Sequence, residues 1–210
     1  MKTFRFVLIV LLFSVAAFAQ TQEIPPPEPQ TGPDQTVVTK DLGLGAFAND
    51  NGSILLAIDT ALVTRTLDNP YVMFYAFMAS KDINQNISVA AKDIVVVFKG
   101  QEYSLPTVKE LRTNYNGLIR DFDLYRQLGK EGINASWVRF YDFLPAPNFY
   151  PTLDLRSDLA TDAGHMYGIR GFETPLYLKN PGLAKGDMLI FKVRDTKNPD
   201  LTGECAVTLQ

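Results

Sequence analysis

The 210-residue chain holds one cysteine, Cys205, one histidine, His165, and one tryptophan, Trp137. A single cysteine excludes any disulfide within the chain, so the fold must be held by its core alone. A single histidine means that every Ser-His-Asp or Cys-His arrangement, and every imidazole-bearing metal site, must use His165. Charge of one sign is also in short supply: 20 Lys and Arg stand against 23 Asp and Glu, a formal net charge of −3. So mild an acidic balance gathers no phosphates, and nucleic acid is not an expected partner. The signatures of catalysis are missing as well. There is no G-x-S-x-G elbow, no phosphate loop, no H-E-x-x-H and no C-x-x-C, so no residue is given a catalytic role and no cofactor is expected.

The start of the chain has the three parts of an export signal: Lys2 and Arg5, the apolar run from Phe6 to Val15, and the small-residue site Ala17-Phe18-Ala19. Removal of residues 1–19 would place the protein outside the cytosol, secreted or periplasmic. No cysteine stands just past the site, so no lipid anchor is expected, nor a transmembrane anchor once the signal is gone: the best later run, Tyr71 to Ala79, covers nine residues. Residues 20–35 carry Pro25, Pro26, Pro27, Pro29 and Pro33 with almost no apolar surface, the composition of an extended linker. Residues 36–210 then form one domain.

That domain reads as many short strands. Ala46 to Ala48 and Ile54 to Ile58 flank Asn49-Asp50-Asn51-Gly52, where Asn-Gly suits a type I′ hairpin. A calcium loop there would want an oxygen ligand at Phe47, so a turn is expected. The preceding Gly43-Leu44-Gly45-Ala46-Phe47-Ala48 matches a dinucleotide fingerprint, but a hairpin rather than a helix follows it. Tyr71 to Ala79 is apolar on both faces, as in a central strand covered on each side. Ile94 to Phe98 and Tyr103 to Leu105 flank a four-residue turn, Lys99 to Glu102. Asn134 to Leu144 reads as an aromatic strand, and Met166 to Phe172 and Leu176 to Lys179 as two short ones. Leu189, Phe191 and Val193 alternate with Met188, Ile190, Lys192 and Arg194, and Cys205, Val207 and Leu209 line the apolar face of the final strand, which makes the cysteine a core residue.

One helix interrupts the strands. Val108, Leu111, Tyr115, Leu118, Phe122 and Tyr125 form a single apolar stripe, Thr107 with Glu110 forms a capping box, and Gly129 stands at the C-cap. Gly117 at its middle costs about 1 kcal/mol against alanine. The sum is a mainly β fold, an antiparallel β-sandwich with one inserted amphipathic helix at about 107–128. The segment Gly182-Leu183-Ala184-Lys185-Gly186-Asp187, followed by the strand Met188 to Arg194 and Asp195, resembles the closing strands of immunoglobulin-like sandwiches in exported bacterial proteins. The resemblance concerns fold only and implies no activity.

Two constellations carry candidate chemistry. Trp137, Phe140, Tyr141, Phe143, Phe149 and Tyr150 fall within 15 residues. On a strand, Trp137, Arg139, Tyr141 and Phe143 share one face, and Val138, Phe140 and Leu144 the other. If one set fills the core, the other stands near water. Trp137, Arg139, Tyr141 and Phe143, with Phe149 and Tyr150, would then offer a stacking surface to a carbohydrate or a protein. The second constellation is Asp154, Asp158 and Asp162, four residues apart, with His165 three further on. A helix would align all four as divalent-metal ligands or an acid–base pair. Against that, like charges at that spacing weaken the helix and Gly164 interrupts it, so a solvated acidic loop is the plainer reading. The expected function is a binding module. The alternatives are a small metal-dependent or hydrolytic enzyme using the Asp/His cluster, and a protein that associates with itself through strand edges.

Overall fold

A computed structural model of the chain describes residues 38–128, 140–144, 149–150 and 163–210. The expected export signal and the whole of the linker lie outside these residues. Twelve strands are described: β1 (Lys40–Gly43), β2 (Ala46–Asn49), β3 (Ile54–Asp59), β4 (Tyr71–Ser80), β5 (Ile87–Ala90), β6 (Ile94–Phe98), β7 (Gln101–Ser104), β8 (Asp142–Leu144), β9 (Ala163–Met166), β10 (Arg170–Lys179), β11 (Met188–Arg194) and β12 (Thr202–Thr208). They form a six-stranded sheet, β1-β2-β3-β4-β10-β8, a four-stranded sheet, β12-β11-β6-β7, and the small pair β5-β9. All pairings are antiparallel except the short edge contact of β8 with β10, which is parallel.

The two larger sheets make a sandwich because each has one apolar face. On the four-stranded sheet, Ile94, Val96, Phe98, Leu189, Phe191 and Val193 point inward at period two and are buried, while their neighbours face out. The six-stranded sheet meets them with Phe74, whose ring stands edge-on to Phe191 with centroids 4.8 Å apart. Strand β12 lies close across β3. The Gly203 α-carbon faces the Ile54 carbonyl so closely that a β-carbon would stand 2.3 Å from that oxygen. Cys205 is fully buried here, and burial pushes its thiol pKa up, so it behaves as a small core hydrophobe as the alternation required.

Local chemistry accounts for where elements start and stop, and corrects the sequence reading in several places. The fingerprint-like glycines make the tight turn between β1 and β2, with Gly43, Leu44 and Gly45 all at positive φ. The β2–β3 hairpin exists, but its loop contains no residue at positive φ, so it is not type I′; the Asn51 amide instead donates to the Asn49 side chain at 2.9 Å. The true two-residue turn is Lys99-Gly100, both at positive φ, and β7 begins at Gln101. Met166 to Phe172 and Leu176 to Lys179 are not two strands, since β10 runs unbroken through Pro175. Proline is accepted there because β8 pairs only with residues 170–172, so the Pro175 nitrogen owes the ladder no hydrogen.

The expected single helix is two. Helix α1 (Val108–Asn114) ends at Tyr115, whose backbone is extended at φ −143° and ψ 123°, and α2 (Leu118–Leu128) starts after Gly117. The apolar stripe survives the break, with Leu111, Tyr115, Leu118 and Tyr125 all buried. Gly117 is what the joint requires, because a β-carbon there would stand 2.4 Å from atoms of the Tyr115 ring. At the other end the Thr107 hydroxyl accepts from the Glu110 amide at 3.1 Å, as the cap predicted. Thr107→Ala is therefore expected to cost about 1 kcal/mol in a urea titration. A loss below the error of the titration would show that packing alone starts the helix.

Candidate functional site

The register of β3, β4 and β10 puts Asp59, Tyr71, Tyr75, Glu173 and Tyr177 on the outer face of the six-stranded sheet. Helices α1 and α2 cover that face, so these polar groups lie beneath a helical layer. The Tyr75 and Tyr125 rings stack at 4.3 Å with planes 16° apart. Tyr71 and Tyr177 contact Tyr115 at 5.6 and 6.1 Å. The phenols meet carboxylates. Tyr115 donates to Asp121 at 2.5 Å and Tyr177 to the same oxygen at 3.5 Å. Tyr125 donates to Asp59 at 3.4 Å, Tyr71 to Glu110 at 3.1 Å, and Tyr75 to Glu173.

Asp121 is 1% exposed although it sits on a surface helix. Burial raises its pKa above the ordinary carboxylate range, opposed by the Tyr115 hydroxyl and by the Arg120 guanidinium 3.3 Å away. Burial also raises Asp59, opposed by the Ala61 amide at 2.8 Å and by Tyr125. The phenols of Tyr115, Tyr125 and Tyr177 are pushed above the usual range, by burial first and by the neighbouring acids second. These phenols therefore keep their protons to higher pH than a free tyrosine does.

The expected aromatic surface is only partly where the sequence put it. Trp137 and Arg139 lie outside the described residues. Phe149 and Tyr150 are buried rather than offered to a ligand: Phe149 packs edge-on to Phe172 at 6.4 Å, and Tyr150 meets Tyr177 at 5.3 Å while its hydroxyl donates to the Pro106 carbonyl at 2.9 Å. Tyr141 and Phe143 are half-buried, with Phe143 edge-on to Phe77 at 5.4 Å and Tyr141 6.1 Å from Phe143. The wetter set is the other one. Phe140 is 81% exposed and Leu144 43%.

Beside them lies the β9–β10 turn, tied on by the Asp142 amide donating to the Ile169 carbonyl at 2.9 Å. There Ile169 is 60% and Tyr167 45% exposed, and Arg170 donates to the Tyr167 hydroxyl at 2.6 Å. Phe140, Leu144, Tyr167 and Ile169 thus expose apolar surface on and beside β8, where Arg170 pairs with exposed Asp142 across the ladder.

Of the Asp/His cluster, Asp154, Asp158 and Asp162 lie outside the described residues. His165 is exposed on strand β9 opposite Ser88, so no helix reaches it to align the four. Gly164 before it is fitted against the Phe172 ring, where a β-carbon would stand 2.4 Å away. Among the described residues no group of three His, Cys, Asp or Glu is placed to hold a metal ion.

Sequence reasoning missed both arrangements the structure makes prominent. Asp121 had a signal, since it falls three residues after Leu118 and four before Tyr125, inside the apolar stripe. Ile169 and Tyr167 gave none, because their exposure depends on how the turn leaves the sheet. Compared with known protein families, curated proteins and solved structures, the chain matches none.

Proposed function

We propose that the chain is an exported, secreted or periplasmic, non-catalytic binding module that engages a protein partner through the rim at β8. The observation that carries this reading is the exposure of Phe140, Ile169, Tyr167 and Leu144 on and beside the edge strand that pairs with Arg170. Isolated exposed hydrophobics are ordinary, but several on one edge, with an arginine set on the Tyr167 ring, have the composition of a protein-binding hot spot. A sugar would want hydrogen-bonding groups among the rings, and those residues of the expected surface, Trp137 and Arg139, lie outside the described residues. An immunoglobulin-like sandwich fits the same role, because such scaffolds carry recognition on edges and loops.

The test is photo-crosslinking from a benzophenone amino acid at position 140, in the cells that make the protein. A discrete heterologous adduct, missing when the probe sits at exposed Glu102 on β7, is the expected result. With the partner in hand, Phe140→Ala and Ile169→Ala should each weaken binding by about tenfold, leaving stability within about 0.5 kcal/mol. An adduct with a second copy of the chain would favour self-association instead. No adduct at position 140 would defeat the reading.

A further inference from the structure

We propose that the cleft between the β2–β3, β4–β5 and β11–β12 loops is a second binding site, one that takes a neutral saccharide. It shares no residue with the rim at β8, so either site can fail without the other. What carries it is a set of polar side chains that the fold leaves unspent around a concave space.

The cleft has a volume of about 470 Å³ and opens to solvent. Small-molecule sites occupy roughly 300–1,000 Å³, so the space suffices for a ligand of that class. Its walls are held by bonds within and between the loops. A β-carbon on Gly52 would stand 2.3 Å from the Thr202 carbonyl oxygen, so the first and third loops meet main chain to main chain. The Lys81 amide donates to the Ser53 carbonyl at 3.0 Å, and the Lys81 Nζ to the Asp50 carbonyl at 2.9 Å, which ties the second loop to the first. Within the second loop the Asp82 carbonyl accepts from the Gln85 amide at 3.0 Å and from the Ser80 hydroxyl at 2.8 Å. In the third, the Leu201 amide donates to the Asn198 carbonyl at 3.0 Å. Walls fixed in this way stand ready, and a ligand need not order them.

Asn51, Ser53, Gln85 and Thr202 line the cleft, and among the described residues no hydrogen bond uses their side-chain polar atoms. Two amides and two hydroxyls offer donors and acceptors together, and a sugar hydroxyl is itself both. The Asp82 carboxylate spends one oxygen on the Asn84 amide at 2.9 Å, which leaves the other to accept from a ligand. Charge in the wall is balanced. Lys81 stands beside Asp82, and the carboxylate of neighbouring Asp50 is already paired with Lys40 at 3.0 Å. An anion would meet Asp82 and a cation Lys81, so neither sign is favoured. A calcium ion would find one carboxylate where it takes six to eight oxygens. An apolar ligand would find Leu201 alone. A neutral, hydroxyl-rich molecule answers every group: its hydroxyls meet the amides, hydroxyls and carboxylate, and its C–H face rests on Leu201.

The experiment is a titration of the nitrogen-15-labelled full chain, followed by backbone and side-chain amide shifts. The probes are N-acetylglucosamine, cellobiose and maltose, with sodium phosphate, calcium chloride and a blocked triglycine for comparison, each taken into the millimolar range. At least one of the three saccharides should give saturable shifts confined to residues 51–53, 81–85 and 201–202, the side-chain amides of Asn51 and Gln85 included. Asn51→Ala and Gln85→Ala should each weaken that binding by about threefold to tenfold, the loss of a neutral hydrogen bond, while Phe140→Ala leaves it unchanged. Shifts with none of the saccharides would overturn the proposal, as would shifts centred outside these loops or undiminished binding in both variants. Phosphate, calcium or the peptide shifting these residues where the saccharides do not would overturn it as well. Should a variant fail to fold, Overhauser contacts in the wild type decide the matter. Contacts from the sugar to the Asn51 and Gln85 side-chain amides support the site, and their absence ends it.

Discussion

Gly203→Ala is expected to lower stability by about 3 kcal/mol, the upper end for forcing volume into a packed interior. The added methyl would stand 2.3 Å from the Ile54 carbonyl oxygen and 3.0 Å from the Ile54 β-carbon. The first contact is with backbone, so no rotamer change relieves it. Strand β12 must rise off β3, and the rows of Cys205 and Val207 must rise with it. The measurement is the urea midpoint at unchanged slope. A loss under about 0.5 kcal/mol would mean that the sheets sit further apart than described.

Phe74→Ala is expected to cost more, about 3 to 5 kcal/mol. Phe74 is wholly buried, pairs with Leu176 across the ladder, and carries the ring that meets Phe191 from the opposite sheet. Its removal leaves a cavity between two rigid layers that cannot collapse onto it, so the lost transfer energy and the cavity term add. Phe140→Ala deletes the same atoms from a ring already in water and should stay within about 0.5 kcal/mol. The contrast separates core from rim by calorimetry alone, and equal losses for the two would contradict the placement of both.

Period-two patterning made much of the sandwich legible before any coordinates. The inward rows of β6, β11 and β12 and the two-faced burial of β4 follow from alternation and from apolar continuity, which are local properties of the chain. The helical stripe was equally plain, yet its break was not. The stripe runs through the joint without a missed step, and what divides it is the Tyr115 ring folded over Gly117, a contact that periodicity does not register. Strand β10 shows the opposite failure. The gap between the expected strands Met166 to Phe172 and Leu176 to Lys179 holds Pro175, but a proline nitrogen facing an unpaired edge interrupts nothing.

The candidate sites were less legible than the fold. Phe149 and Tyr150 are aromatic like Phe140, and only the path of the chain decides which of them is buried. Asp121 falls inside the apolar stripe, but Asp59 and Glu173 carry no such mark until the helices are laid over the sheet. Their partners are tyrosines on other elements, as with Asp59 and Tyr125, 66 residues apart. Pairings of that kind are invisible to local spacing.

The ladder between β4 and β10 joins residues roughly a hundred positions apart, Tyr71 with Lys179 at one end and Met78 with Phe172 near the other. Neighbouring hairpins such as β2–β3 and β6–β7 can form early, within short loops. The middle of the larger sheet must wait for a slow closure. During that wait β4, apolar on both faces, stands with one flank unzipped, the kind of template on which chains stick to one another. Refolding yield should therefore fall with protein concentration long before the finished molecule shows any tendency to aggregate.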